Sequence, residues 1–407
     1  GFLAIYVYYF VIYHWFVRMH PLDFVGLDGF ASITVVILGW FGLSLLQALV
    51  GGLIFLVLRL VDRTGIFGRA PLLRPFVFAA LWVIFEWSST LTWTGVPWGR
   101  LALGQLVGNF TLTAMSASLL GSYFVSALII ATSALAAQAL LLGKLKWRVI
   151  TAASLAVGNL LCGALLTAIP MGEQSVRVAA VQGNISSSDK WSEDSDKITL
   201  EVYTGLIKEA AEQGAELVVL PETAFPYDLD SENYAYLDKG FCESARSLGI
   251  YLLVGAFTVE GEKDSLNSLV CYTPDGVRLD TVYSKRHLVP FGEYVPMRNL
   301  IMTLIPPLAE LSALDDDLTP GDDTALFETE WGKLGGLICF DSIYEELTRA
   351  SVRDGANLIL LPSNDSWWFT TSVETYQNET QAMLRAIESG RYLVRAGNTG
   401  ISSIITE

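Results

Sequence analysis

The sequence predicts two domains of different fold class, a multi-span α-helical membrane domain followed by an α/β domain. Three observations carry this. The 407 residues are 52% hydrophobic and only 17% charged, with a mean hydropathy of +0.43, where soluble domains carry about 25% charged residues. Charge also divides at Met171, with nine basic against four acidic residues up to it and 17 against 38 beyond it. Long apolar runs, finally, are confined to the first part, and short β-rich runs alternating with helical stretches to the second. The expected division is therefore 1–171 and 172–407, each part long enough to bury a core of its own.

Apolar stretches near the ~20 residues that cross a ~30 Å hydrocarbon core fall at roughly 1–17, 31–58, 75–94, 115–143 and 149–169. They are read as five spans, the first truncated. Arg59, Arg63, Arg69 and Arg74 join the second to the third, and Lys144, Lys146 and Arg148 the fourth to the fifth. The positive-inside rule makes both joints cytoplasmic. Everything after Met171 is then expected on the outer side, with the joints at 18–30 and 95–114. Glu86 sits near the outer end of the third span, either as a functional ionisable group or as a carboxylate snorkelling to the interface. The chain starts at Gly1 inside an apolar run and stops at Glu407 after a strand-like ISSIIT, so a fragment at both ends is expected.

Beyond Met171, VRVAAVQ, ELVVLPE, YLLVGAF, LVCYT, VRLDTVYS, KLGGLICFD, ANLILLPS and YLVRAG read as strands. Helices are expected near 193–213, 231–248, 344–354 and 373–389. Strands alternating with helices indicate an α/β fold, whose catalytic groups usually sit at strand ends. DDDLTPGDD at 315–323 reads as a solvated loop, whereas the apolar 297–314 stretch before it has no evident period.

Much familiar chemistry is excluded by composition. An acidic second half argues against nucleic acid, whose phosphates want Lys/Arg stripes. Four cysteines, Cys162, Cys242, Cys271 and Cys339, are too few for a disulfide scaffold, and whether Cys242 pairs with Cys271 stays open. With only His14, His20 and His287, a His-rich zinc site cannot be built. No G-x-S-x-G, G-x-G-x-x-G or P-loop is present. Neither a metal nor a cofactor is expected.

Three strand ends carry a reactive side chain: Glu222 in VVLPETAF, Lys285 in YSKRHLVPFGEYVP and Cys339 in GGLICFDSIYEE. Taken singly these are a solvated carboxylate, a surface amine and a small buried hydrophobe. Together they supply a base, a cation and a nucleophile. A thiol becomes reactive when a carboxylate takes its proton or an ammonium stabilises its thiolate. Attack on a carbonyl needs donors for the oxyanion, which Lys285 and the Phe340 N–H offer. His287 reads as a loop-packing residue.

The three segments, LPE, K-x-H-L-V-P-F-G-E and C-F-D in that order, resemble the nitrilase (carbon–nitrogen hydrolase) superfamily. With the preceding spans and TLTWTGVPWGRLALGQ at 90–105, the chain resembles the apolipoprotein N-acyltransferase family, the membrane branch that N-acylates bacterial lipoproteins. The resemblance covers nearly the whole chain, with an N-terminal portion and a C-terminal tail holding one last span expected to be missing. It implies an αββα sandwich in which Glu222 is the general base, Lys285 the oxyanion stabiliser and Cys339 the nucleophile. Glu293 would be an auxiliary carboxylate or a holder of the Lys285 loop, with Phe340 and Asp341 as auxiliary residues beside the nucleophile. Trp191 and Asn267 map onto family residues flanking the site. Phe340 stands where the family often has Tyr and Asp341 where Glu is common, but the triad is intact, so activity is expected.

By that resemblance the acyl donor is a phospholipid such as phosphatidylethanolamine, the acceptor the diacylglyceryl-cysteine of a lipoprotein, and the location the bacterial inner membrane. Trp367, Trp368 and Phe369 form an aromatic run suited to a membrane interface. With 297–314 it makes a lid or a lipid-facing rim in one reading and an ordinary packed cluster in the other; in the first, Trp367 and Trp368 contact substrate. Two other readings remain: a membrane-anchored amidase or nitrilase acting on a small amide, and a non-catalytic lipid-binding or transport scaffold.

Overall fold

A computed structural model describes residues 1–22, 27, 29–109, 111–142, 145–169, 175–192, 194–261, 264–304, 317–366 and 372–406. The chain divides into two compact units, Gly1–His20 with Gly29–Gly172, and Pro21–Asp28 with Glu173–Glu407.

The first unit is helical: α1 (Phe2–Ile12), α2 (Gly29–Arg63), α3 (Leu73–Ser88), α4 (Ser122–Leu142) and α5 (Leu145–Leu166), joined by shorter helical turns. Among the described residues four segments, Phe2–Met19, Gly29–Arg63, Ser122–Leu141 and Lys146–Leu166, are long and apolar enough to cross a membrane. The expected third span differs. Its helix runs for 16 residues, about 24 Å at 1.5 Å per residue, because the chain turns back at TLTWTGVP. Gly95 permits that turn, since a Cβ there would lie 2.1 Å from the Ser89 carbonyl oxygen. Nor does Glu86 snorkel. It is buried, and its Oε1 accepts hydrogen bonds from Trp82 Nε1 and the Leu101 N–H, both at 2.9 Å. The carboxylate thereby ties the loop after α3 to the helix it left.

The second unit is built on two sheets. In the first, β1 (Val178–Ala180), β2 (Leu217–Val219), β4 (Tyr251–Glu260), β5 (Asp264–Tyr272) and β6 (Arg278–Ser284) lie in that order, and β3 (Phe225–Asp228) also pairs with β4. The first three are parallel and β5 and β6 antiparallel additions. In the second sheet the order is β11 (Ser403–Ile405), β10 (Tyr392–Gly397), β9 (Ala356–Ser363), β8 (Gly332–Gly336) and β7 (Leu326–Thr329).

Strand alternation explains how the layers meet. Leu217 and Val219 of β2 pack with Leu253, Leu269 and Tyr283 against Phe327, Leu334, Leu358 and Val394 of the other sheet. Val218 points the opposite way and joins Val254 and Tyr272 against Tyr203 and Ile207 of α6 (Ser195–Glu212) and Phe241 and Ala245 of α7 (Ala235–Leu248). Both faces of the sheet are thus buried, at roughly 1.5–3 kcal/mol per fully buried aliphatic side chain. Helices α8 (Glu345–Arg353) and α9 (Val373–Ser389) pack on the second sheet, completing four layers, αββα. Cys242 and Cys271 are both free thiols, the latter filling the space between the sheets.

Candidate active site

Two of the three reactive side chains lie just past their strands, on turns. Main-chain pairing continues one residue beyond β2 and β8, through the Leu220 N–H to the Leu253 carbonyl and the Leu337 N–H to the Leu360 carbonyl, each at 2.9 Å. The chain then breaks away. Glu222 is followed by Thr223 at φ 44°, and Cys339 itself sits at φ 45°. A non-glycine residue held in this left-handed region costs of order 1 kcal/mol or more and persists only where its surroundings fix it. Gly255 of β4 provides the room for the first turn, because a Cβ there would lie 2.2 Å from the Pro221 carbonyl oxygen. Lys285 follows β6 directly, its N–H donating to the Asn267 carbonyl at 2.8 Å.

These elements converge on a buried charged cluster. Lys285 Nζ donates to Glu222 Oε1 and to Glu293 Oε1, both at 2.9 Å, and is 1% exposed. Asn267 Nδ2 bridges the same two carboxylates at 2.8 and 3.0 Å. The other oxygen of each carboxylate is held by main chain: Glu222 Oε2 by the Asn364 N–H at 2.9 Å, and Glu293 Oε2 by the Val289 N–H at 2.8 Å. Glu293 therefore both faces Lys285 and pins the FGE turn.

Burial would raise the Glu222 carboxyl, but the Lys285 ammonium and its hydrogen bond hold it below the usual carboxylate range. Burial would likewise lower Lys285, yet Glu222 and Glu293 keep it charged, well above an ordinary lysine. Burial, and then Glu222, push the Cys339 thiol up, with Lys285 opposing. At neutral pH the cluster rests as carboxylate, ammonium and thiol. An ionised carboxylate in such a cluster is able to accept a proton.

Cys339 opens a short 3-10 turn, Cys339–Ile343. Asp341 in that turn is fully buried. Its Oδ2 accepts from Tyr283 Oη at 2.9 Å and the Ile338 N–H at 3.1 Å, and its Oδ1 from the His287 N–H at 2.8 Å. Asp341 thus ties the thiol turn to the Lys285 loop, and burial raises its carboxyl to about 6. Phe340 is buried, edge-on to Tyr344. His287 stacks on Tyr344 with ring centroids 3.7 Å apart. Asn267 stands in the cluster, whereas Trp191 is 39% exposed at the end of the short helix Ser187–Lys190. Trp367, Trp368 and Phe369 lie outside the described residues, as does most of 297–314.

Two members of the site escape sequence reasoning. The Asn364 N–H is a main-chain group, invisible to side-chain patterns. Lys190, 2% exposed with Nζ donating to the Glu222 carbonyl oxygen at 3.1 Å, sits in the polar stretch SSSDKWSEDSDK, which carries no motif.

An αββα sandwich with an acid, an amine and a thiol gathered on turns beyond its strands defines the carbon–nitrogen hydrolase class, and residues 177–407 match the family described as carbon-nitrogen hydrolase. Residues 1–135 match the apolipoprotein N-acyltransferase N-terminal domain. The chain is 33% identical over 409 residues to the apolipoprotein N-acyltransferase of Gloeobacter violaceus, covering 100% of this chain and 75% of that protein. It is 40% identical over 242 residues to that of Geobacter metallireducens, covering 58% and 45%, and 29% identical over 406 residues to that of a Nostoc species, covering 98% and 77%. The chain belongs to the apolipoprotein N-acyltransferase family.

Proposed function

We propose that the chain transfers an acyl group from a phospholipid, through a thioester on Cys339, to the α-amine of the diacylglyceryl-cysteine of a lipoprotein. The observation that carries this reading is the buried Glu222–Lys285–Glu293 cluster beside a thiol that is still protonated. Cys339 Sγ attacks the ester carbonyl while Glu222 takes the thiol proton. As the S–C bond forms, the carbonyl oxygen gains charge, and the third N–H of Lys285 and the Phe340 N–H receive it. Collapse breaks the ester C–O bond, and Glu222 returns its proton to the departing lysophospholipid oxygen. The amine then attacks the thioester, and Glu222 moves the nitrogen's proton to sulfur as the C–S bond breaks. An amide is formed and the thiol is restored.

A membrane unit suits such a donor. Drawing two acyl chains out of the bilayer would cost about 0.8 kcal/mol per CH₂, whereas a site at headgroup level avoids that transfer. The basic joints at 59–74 and 144–148 support a catalytic unit on the outer face of the inner membrane.

Intact-mass spectrometry of the detergent-purified protein after incubation with a defined phosphatidylethanolamine tests the reading. One added acyl mass on wild type and none on Cys339→Ala is the expected result. A folded wild type that acquires no adduct would overturn it in favour of hydrolysis of a small amide.

A further inference from the structure

The cluster has an unbalanced charge. Glu222 and Glu293 bring two negative charges and Lys285 one positive, all of them buried. Moving the thiol proton from Cys339 to Glu222 leaves the total unchanged but shifts negative charge onto sulfur, away from the Lys285 pair. Asp365 and Arg395 also act on Cys339, but they neutralise each other through a 2.6 Å ion pair. Lys190 remains. Its ammonium is buried, and among the described residues its hydrogen bond goes to a neutral main-chain carbonyl, that of Glu222. Its charge acts on Glu222 and Cys339. A buried cation is costly without a compensating partner; here it offsets the surplus negative charge of the cluster, including the part that moves onto sulfur during the reaction.

We propose that Lys190 is a positioning residue for the thiol chemistry: its ammonium supplies the positive charge that offsets thiolate character at Cys339, and its bond to the Glu222 carbonyl holds the turn that aims the base. The proposal rests on Cys339 being the acyl-accepting thiol. Burial draws the Lys190 ammonium down to about 7, with Glu222 and then Cys339 pulling the other way. Its charge is thus complete below neutrality and is lost as the pH rises through that value. An ammonium beside a thiol favours the thiolate. Below about pH 7 the thiolate fraction should rise tenfold per pH unit. Above it, each further deprotonation can come from Lys190 instead of sulfur, and the rise should level off.

The test is the rate of iodoacetamide alkylation of Cys339 in the whole detergent-solubilised chain, followed by peptide mass from about pH 5.5 to 9. Wild type is expected to climb with unit slope and level near pH 7. Lys190→Met is expected to react about tenfold or more slowly at pH 6 and to climb without levelling. Lys190→Arg, which keeps its charge throughout, should match wild type at pH 6 and also climb without levelling. A Lys190→Met profile that follows wild type, or is slower but still levels near pH 7, overturns the proposal. Should Lys190→Met fail to fold, levelling retained in Lys190→Arg does so. Phospholipid-derived acyl mass on wild-type Cys339 reads the other half independently. An adduct without the pH signature sinks only the role of Lys190, and the signature without an adduct sinks only the acyl-transfer reading.

Discussion

His287 is the one histidine of the second unit, and its surroundings argue for packing. Burial, and then Arg286, lower it to about 4, and its ring lies on Tyr344. A base held neutral by folding stabilises the protein above its unfolded value near 6.5 and loses that contribution as the pH falls toward 4. Asp341, raised to about 6, acts in the opposite sense across the same window. The comparison with a variant therefore isolates the histidine. His287→Phe, which keeps the stack, is expected to show a smaller drop in Tm than wild type between pH 6.5 and 4.5; equal drops would refute the assignment. At this scale the sequence is informative where a side chain sits in a motif, as Glu222, Lys285, Glu293 and Cys339 do. It is silent about Lys190, because burial of an isolated lysine in a polar stretch depends on what folds over it.

Among elements, those with strong periods are legible and those defined by their neighbours are not. The helix expected near 373–389 spans Val373–Ser389, its N-cap Ser372 accepting from the Glu374 N–H. The strands at 251–260 and 356–363 follow from their β-branched and leucine-rich runs. The short strands β3, FPYD, and β7, LFET, carry too little apolar pattern to register and exist because β4 and β8 offer them edges. The turns are decided by contact distances. Gly255→Ala, whose Cβ would meet the backbone of Pro221, Glu222 and Thr223, is expected to displace the Glu222 turn. It should cut acyl-adduct formation at Cys339 at least about tenfold, with a loss of roughly 1–3 kcal/mol in stability typical of overpacking. Wild-type adduct formation in this variant would show the close approach to be unimportant.

At the scale of the molecule, the charge split at Met171 separates the helical unit from the αββα unit without reference to any motif. The length of the third apolar helix is less legible, since hydropathy alone cannot show that the helix within 75–94 ends at Ser88. Sidedness is open to direct measurement. Lys208, an exposed side chain of α6, and Arg69, exposed in a basic joint, are suitable positions for single introduced cysteines. Lys208→Cys is expected to react with a membrane-impermeant maleimide in intact spheroplasts, and Arg69→Cys only after lysis. The reverse pattern would place the catalytic unit in the cytoplasm.

The hydrogen bonds from the Asn364 N–H to Glu222 and from Tyr283 Oη to Asp341 run between the two sheets, beside the packed side chains that fill the space between them. Repacking of Leu217, Val219, Leu358 or Val394 that lets one sheet glide over the other would part Glu222 from Cys339 with every strand ladder intact. The tolerance of that interior to drift is therefore set by alignment of the chemistry before it is set by melting. Substitutions harmless to a purely structural sandwich would be screened out here as inactive proteins that still fold.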